Sequence, residues 1–82
     1  MADLDFIPHA RDEMADDAIP EAAVYHVVGD ADEVIEQDSG RRRYTGVWEG
    51  RTIVVIVEDD GRTVVTVWER KRDRRRQRKG WR

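Results

Sequence analysis

The sequence predicts an α+β domain over residues 1–69, with two N-terminal helices packed on one face of an antiparallel meander of three to four strands, and a basic tail over residues 70–82. Three observations carry this prediction. Apolar residues recur at helical spacing as far as Val28, alternate with period two after Gly29, and all but vanish after Glu69, where Trp81 is the only one left. A helical stretch followed by a separate strand stretch is the pattern of an α+β domain.

Phe6 and Ile7 run into Pro8, which suits the first position of a helix because the N–H it lacks would have no partner there. A helix is expected from Pro8 to about Asp17, with Ala10, Met14, Ala15 and Ala18 inward and Asp12, Glu13, Asp16 and Asp17 toward water. Pro20 starts a second helix that runs to Val28, buries Ala23, Val24, Val27 and Val28, and stops at Gly29 as a left-handed cap. Val34 to Gln37 reads as a short strand, Asp38, Ser39 and Gly40 as a turn, and Arg42 to Glu49 as the next strand, reversed at Gly50. Thr52 to Glu58 is apolar on both faces, so a central strand covered on each side is expected. Asp60-Gly61 is a hairpin signal that returns Thr63 to Glu69 as the last strand. The tail is expected to be disordered until it binds, or conditionally helical, because its like charges at i,i+4 repel.

Charge divides the chain at the same place. The tail holds nine basic residues against one acid, a balance of +8, and the domain holds six against seventeen, a balance of −11, within a net charge of −3. A basic block on this scale is the footprint of a polyanion ligand such as RNA or DNA, since each cation that meets a phosphate releases a condensed counterion. The acidic body confines such binding to one face or end. The lack of cysteine excludes disulfides, a thiolate zinc site and a cysteine nucleophile. Only two histidines are present, so no metal site and no cofactor are expected. The longest apolar run, Ile53 to Val57, is far too short for a membrane span, and the expectation is a soluble cytoplasmic protein with no membrane partner.

Several phrases in order carry a resemblance. The stretch Phe6-Ile7-Pro8-His9-Ala10-Arg11-Asp12-Glu13-Met14, the helix after Ile19-Pro20, Asp32-Glu33-Val34-Ile35-Glu36, Arg43-Tyr44, the run Ile53 to Val57, and Val65-Thr66-Val67-Trp68 together resemble the DUF4258 family of small bacterial proteins. The resemblance spans about residues 4–70. That family is similar to the RelE and BrnT toxins of toxin–antitoxin modules, which implies a RelE/barnase-like fold, a metal-independent ribonuclease activity and a cognate antitoxin or other acidic protein as partner.

Cleaving RNA without a metal requires a base for the 2′-hydroxyl, a cation for the developing charge and an acid for the leaving oxygen. His9, at the start of a helix, offers an imidazole, the side-chain type suited to either proton role near neutral pH, although a lone histidine there equally well caps or packs the helix. Alternation sends Arg41 and Arg43 to one face with Thr45, and Arg42 to the other with Tyr44. One pair should project from the open face, where a guanidinium can fork onto a phosphate. The resemblance points to Arg43 for charge stabilisation and to Tyr44 for stacking or proton donation. The alternative is an edge strand protected by charge. On the last strand Trp68, beside Arg70, is a substrate contact by analogy with related toxins, while Trp48 reads as packing. In the tail, Arg72, Arg74, Arg75, Arg76, Arg78 and Lys79 are the expected nucleic-acid contacts.

Three functions therefore compete: a toxin-type ribonuclease working through His9, Arg43 and Tyr44, a non-catalytic nucleic-acid-binding module, and a protein-interaction domain whose tail meets an acidic surface. The enzyme reading requires His9, Arg43 and Trp68 to converge.

Overall fold

Five strands and two helices follow one another as β1 (Asp5–Phe6), α1 (Pro8–Asp16), α2 (Glu21–Gly29), β2 (Glu33–Glu36), β3 (Arg42–Trp48), β4 (Arg51–Val57) and β5 (Thr63–Glu69). They come from a computed structural model that describes residues 3–71, so the expected state of the tail beyond Lys71 lies outside the described residues. The strands form one sheet in the order β1-β5-β4-β3-β2. Strands β2 to β5 make the expected antiparallel meander. The two-residue β1 pairs parallel with β5, Asp5 against Thr63 and Phe6 against Val64, and makes the sheet mixed. Two residues show no alternation, so nothing local marked β1 as a strand.

Both helices pack on one face. Ala10 and Met14 of α1 and Ala23, Val24 and Val27 of α2 share a core with Ile53, Val55, Val57, Val64 and Val67. Gly46 lies under α2, where a Cβ would meet the Val27 methyls at 3.5 Å, an ordinary contact distance that leaves room for an alanine. Phe6 adds an edge-to-face contact with Tyr25, whose hydroxyl accepts the Leu4 N–H at 3.0 Å.

Turn chemistry fixes the meander. Trp48 pairs with Arg51 across a two-residue loop in which Glu49 (φ 50°) and Gly50 (φ 78°) are both left-handed, the type I′ hairpin that matches strand twist. Between β4 and β5, the Asp60 carboxylate accepts the Thr63 hydroxyl at 2.6 Å and the N–H groups of Arg62 and Thr63 at 2.8 and 2.9 Å. The Thr63 hydroxyl first, then these two N–H groups, lower its pKa from 3.8 to about 2.

Helix ends depart from expectation. Gly29 remains within α2 and is not left-handed; the helix ends at Asp30, whose N–H still donates to the His26 carbonyl at 2.8 Å. The left-handed cap belongs to Ala18 (φ 54°) after α1: Ala18 N–H meets the Ala15 carbonyl and Ile19 N–H meets that of Met14, at 3.3 and 2.8 Å. These are the two bonds of a Schellman cap, with Ile19 and Met14 as its buried apolar contact. Arg51 completes this end. Its Nη1 and Nη2 donate to the carbonyls of Ala18 and Asp17 at 3.0 and 2.7 Å, and its Nε and Nη2 to Glu69 Oε1 at 3.2 and 2.9 Å. The Asp17 carboxylate accepts the Glu69 N–H at 3.1 Å.

One more departure re-aims β5. A bulge opposite Ile56 and Val57 leaves Val65 without a partner, so Val64 and Val67 both face the core while Thr66 and Trp68 stay opposite Ile56 and Val54.

Two outcomes follow from these turns. Left-handed geometry costs an alanine about 1–2 kcal/mol, more than the freedom glycine gives to the unfolded chain, so Ala18→Gly should raise stability by roughly 0.5–1 kcal/mol in denaturant titration. Asp60 stabilises the fold above its ordinary pKa of 3.8 and ceases to do so as pH falls through about 2, so the stability gap between wild type and Asp60→Asn should close across that window.

Candidate functional site

The sheet face away from the helices carries the side chains that sequence reasoning singled out for anion contact. Residues opposite Ile53, Val55 and Val57 face the helices, so those opposite Val54 and Ile56 face the other way. Arg43 and Thr45 on β3, Val54 and Ile56 on β4, and Thr66 and Trp68 on β5 therefore stand side by side. Among the described residues no helix covers them. Val54 and Ile56 are nonetheless only 0% and 7% exposed, and among the described residues the side chains that flank them on β3 and β5 supply the cover expected on the second face of β4.

Arg43 and Thr45 give this face its chemistry. The Arg43 Nε and the Thr45 Oγ1 are both buried without a hydrogen-bond partner among the described residues. Buried polar groups are nearly always satisfied, so two orphans two residues apart on one strand mark a place where an acceptor is lacking. Arg41, on the same face, is committed: its Nε and Nη2 fork onto the Glu58 carboxylate at 3.2 and 3.1 Å. Trp68 is half-buried at the other end of the face, paired with Val54. Arg70 follows β5 exposed, its N–H held by the Thr52 carbonyl at 2.8 Å. Arg41, Arg43 and Trp68 are brought to one face, with Arg70 at its margin.

His9 and Tyr44 are not part of that assembly. His9 is exposed on α1, in the helical layer, with its Nε2 3.9 Å from a Glu13 carboxylate oxygen. Tyr44 alternates to the helix side and packs against the core, as Trp48 does. The His9, Arg43 and Tyr44 constellation is thus divided between the two sides of the sheet. Arg72, Arg74, Arg75, Arg76, Arg78 and Lys79 lie outside the described residues. Thr45 was passed over as a site residue, although its place two residues after Arg43 in a strand already put it on the same face. Among the described residues this face holds no histidine; of its carboxylates, Glu58 is occupied by Arg41, and Glu33, opposite Thr45, is exposed. It can accept an anion and a planar ring.

A small α+β domain with two helices on one face of a mixed sheet and cationic and aromatic side chains on the other defines the class. Within it, the chain belongs to the DUF4258 family, a domain of unknown function, whose family model matches residues 6–75. No match was found among curated proteins or among solved structures. No helix of the described residues is long and apolar enough to cross a membrane.

The orphaned hydroxyl yields a check on stability. Replacing a buried, unpartnered hydroxyl by an isosteric methyl removes a desolvation cost, so Thr45→Val should stabilise the protein by about 1 kcal/mol in denaturant titration. A loss of stability would mean that Thr45 is already satisfied.

Proposed function

We propose that this DUF4258 domain is a single-stranded RNA-binding module in which the open sheet face holds the strand and the basic run after Glu69 neutralises its backbone. The observation that carries this reading is the placement of Arg43, whose Nε has no hydrogen-bond partner among the described residues, on the same face as Trp68. The half-exposed guanidinium of Arg43 suits a phosphate, and an aromatic ring suits an unpaired base, because every base offers a π-face. The nine cations after Glu69 begin at the margin of that face and supply the long-range field. The acidic helices on the other side repel nucleic acid, which leaves the sheet as the docking side.

A fluorescent single-stranded RNA titrated with the full chain at several salt concentrations tests this. Nine phosphate contacts give a log–log slope of about −6 on a single strand, and deletion of residues 70–82 should flatten it. Loss of one stacked base costs about 1–3 kcal/mol, so Trp68→Ala should weaken binding roughly 5- to 150-fold. Arg43→Ala should weaken it as well, while His9→Ala leaves it unchanged. Equal binding by the Arg43 and Trp68 variants and wild type would remove the sheet face from the proposal.

The second reading is a toxin-type ribonuclease similar to RelE and BrnT, with a cognate antitoxin as partner. Arg43, Trp68 and Arg70 share one side of the sheet and supply a cation for such a step, but His9 stands on the other side and that face is assigned no base or acid, which places this reading second. Incubation with total RNA in EDTA separates the two. Cleavage that survives His9→Ala and disappears in Arg43→Ala supports the ribonuclease, and an intact RNA pool supports the binding module.

A further inference from the structure

On the helix side, a shallow, widely open cleft of about 550 Å³ lies between the end of α1 and the tip of the β3–β4 hairpin. Met14, Ile19, Pro20 and Trp48 give it an apolar lining, and Glu49 and Arg51 stand among its walls. Both backbone departures at non-glycine residues in the described chain, Ala18 and Glu49, lie in this lining, so the cleft is shaped by the two left-handed turns. Arg51 spends its guanidinium on Glu69 and the end of α1 and is not an open anion site. Its lining thus carries one carboxylate, Glu49, and neither Glu49 nor Asp12 and Asp16 on α1 has an ion pair among the described residues.

We propose that the occupant of this cleft is Trp81 of the same chain, with the basic residues that precede it laid along the acidic edge of α1. Trp81 is the only apolar residue after Glu69, and it is flanked by Lys79 and Arg82. An indole has an apolar body and a donor edge, which fits an apolar cleft with a carboxylate at its mouth. The tether starts in the right place. Glu69, the last residue of β5, is bonded at 2.9 Å to Arg51, which itself lines the cleft. From Glu69 to Trp81 is twelve residues, about 40 Å when extended and about 20 Å on average as a coil, so the cleft lies within reach without stretching. Tethering at this length also gives a local concentration on the order of millimolar, so a weak indole contact is sufficient. The charge is complementary, since the segment after Glu69 carries +8 against an acidic body of −11. A tail docked in this way lies on the opposite side of the sheet from Arg43 and Trp68. The proposal does not rest on the nucleic-acid reading, and its test contains no nucleic acid.

The test is nuclear magnetic resonance on the full chain at low ionic strength. The Trp81 indole should show nuclear Overhauser contacts to the methyl groups of Met14 and Ile19, and Trp81→Ala should shift the Trp48 indole N–H while leaving that of Trp68 in place. A Trp81 indole at random-coil shifts with no contact to these methyls overturns the proposal. Contacts seen only between differently labelled chains in a mixed sample also overturn it, since the occupant is then a second copy.

Discussion

Ile53, Val54, Val55, Ile56 and Val57 are all withdrawn from water, and a strand apolar on both faces must be central and must be covered twice. Each such side chain contributes about 1.5–3 kcal/mol when fully buried, so leaving either face of β4 wet is costly. The helices cover one face. The other is covered by what β3 and β5 place beside it, namely the stems of Arg43 and Thr45 on one flank and Thr66 and Trp68 on the other. The residues that shield the second face of β4 are thereby the ones left facing outward for a ligand. A cationic stem can cover apolar surface while its head stays available.

Arg51 binds the molecule's two halves where the sequence leaves them apart. It joins the end of α1, the start of β4 and the end of β5 through one planar guanidinium, and the Asp17 carboxylate closes the circuit onto Glu69. With the side chains of Arg51 and Glu69 only 27% and 19% exposed, the pair is shielded from the screening that weakens surface ion pairs. The same node lines the cleft beside Trp48 and fixes the end of β5, after which the basic run begins in the sequence.

Charge is distributed over both sides of the sheet. The helices carry Asp12, Glu13, Asp16 and Glu21, and the other side carries Arg43 together with Glu33, opposite Thr45, and Glu58, bound to Arg41. The acids of the helices repel polyanions from that layer and attract the chain's own basic segment, so the same field offers the tail an alternative resting place.

Much of this was legible from the chain. Period-two spacing gave Arg41, Arg43 and Thr45 a common face before any coordinates, and Thr63 to Glu69 was bounded correctly, because alternation is a property of a strand by itself. The α+β class followed from the change of period after Gly29 for the same reason. What the sequence left open is where elements meet. The parallel pairing of β1 with β5, the bulge at Val65, the cap at Ala18 in place of Gly29, and the separation of His9 from Arg43 all depend on register and on which sheet face the helices cover. Local spacing directs a side chain relative to its own element, whereas proximity between elements far apart in the chain is set by the joint packing of them all, and only the tertiary structure decides that.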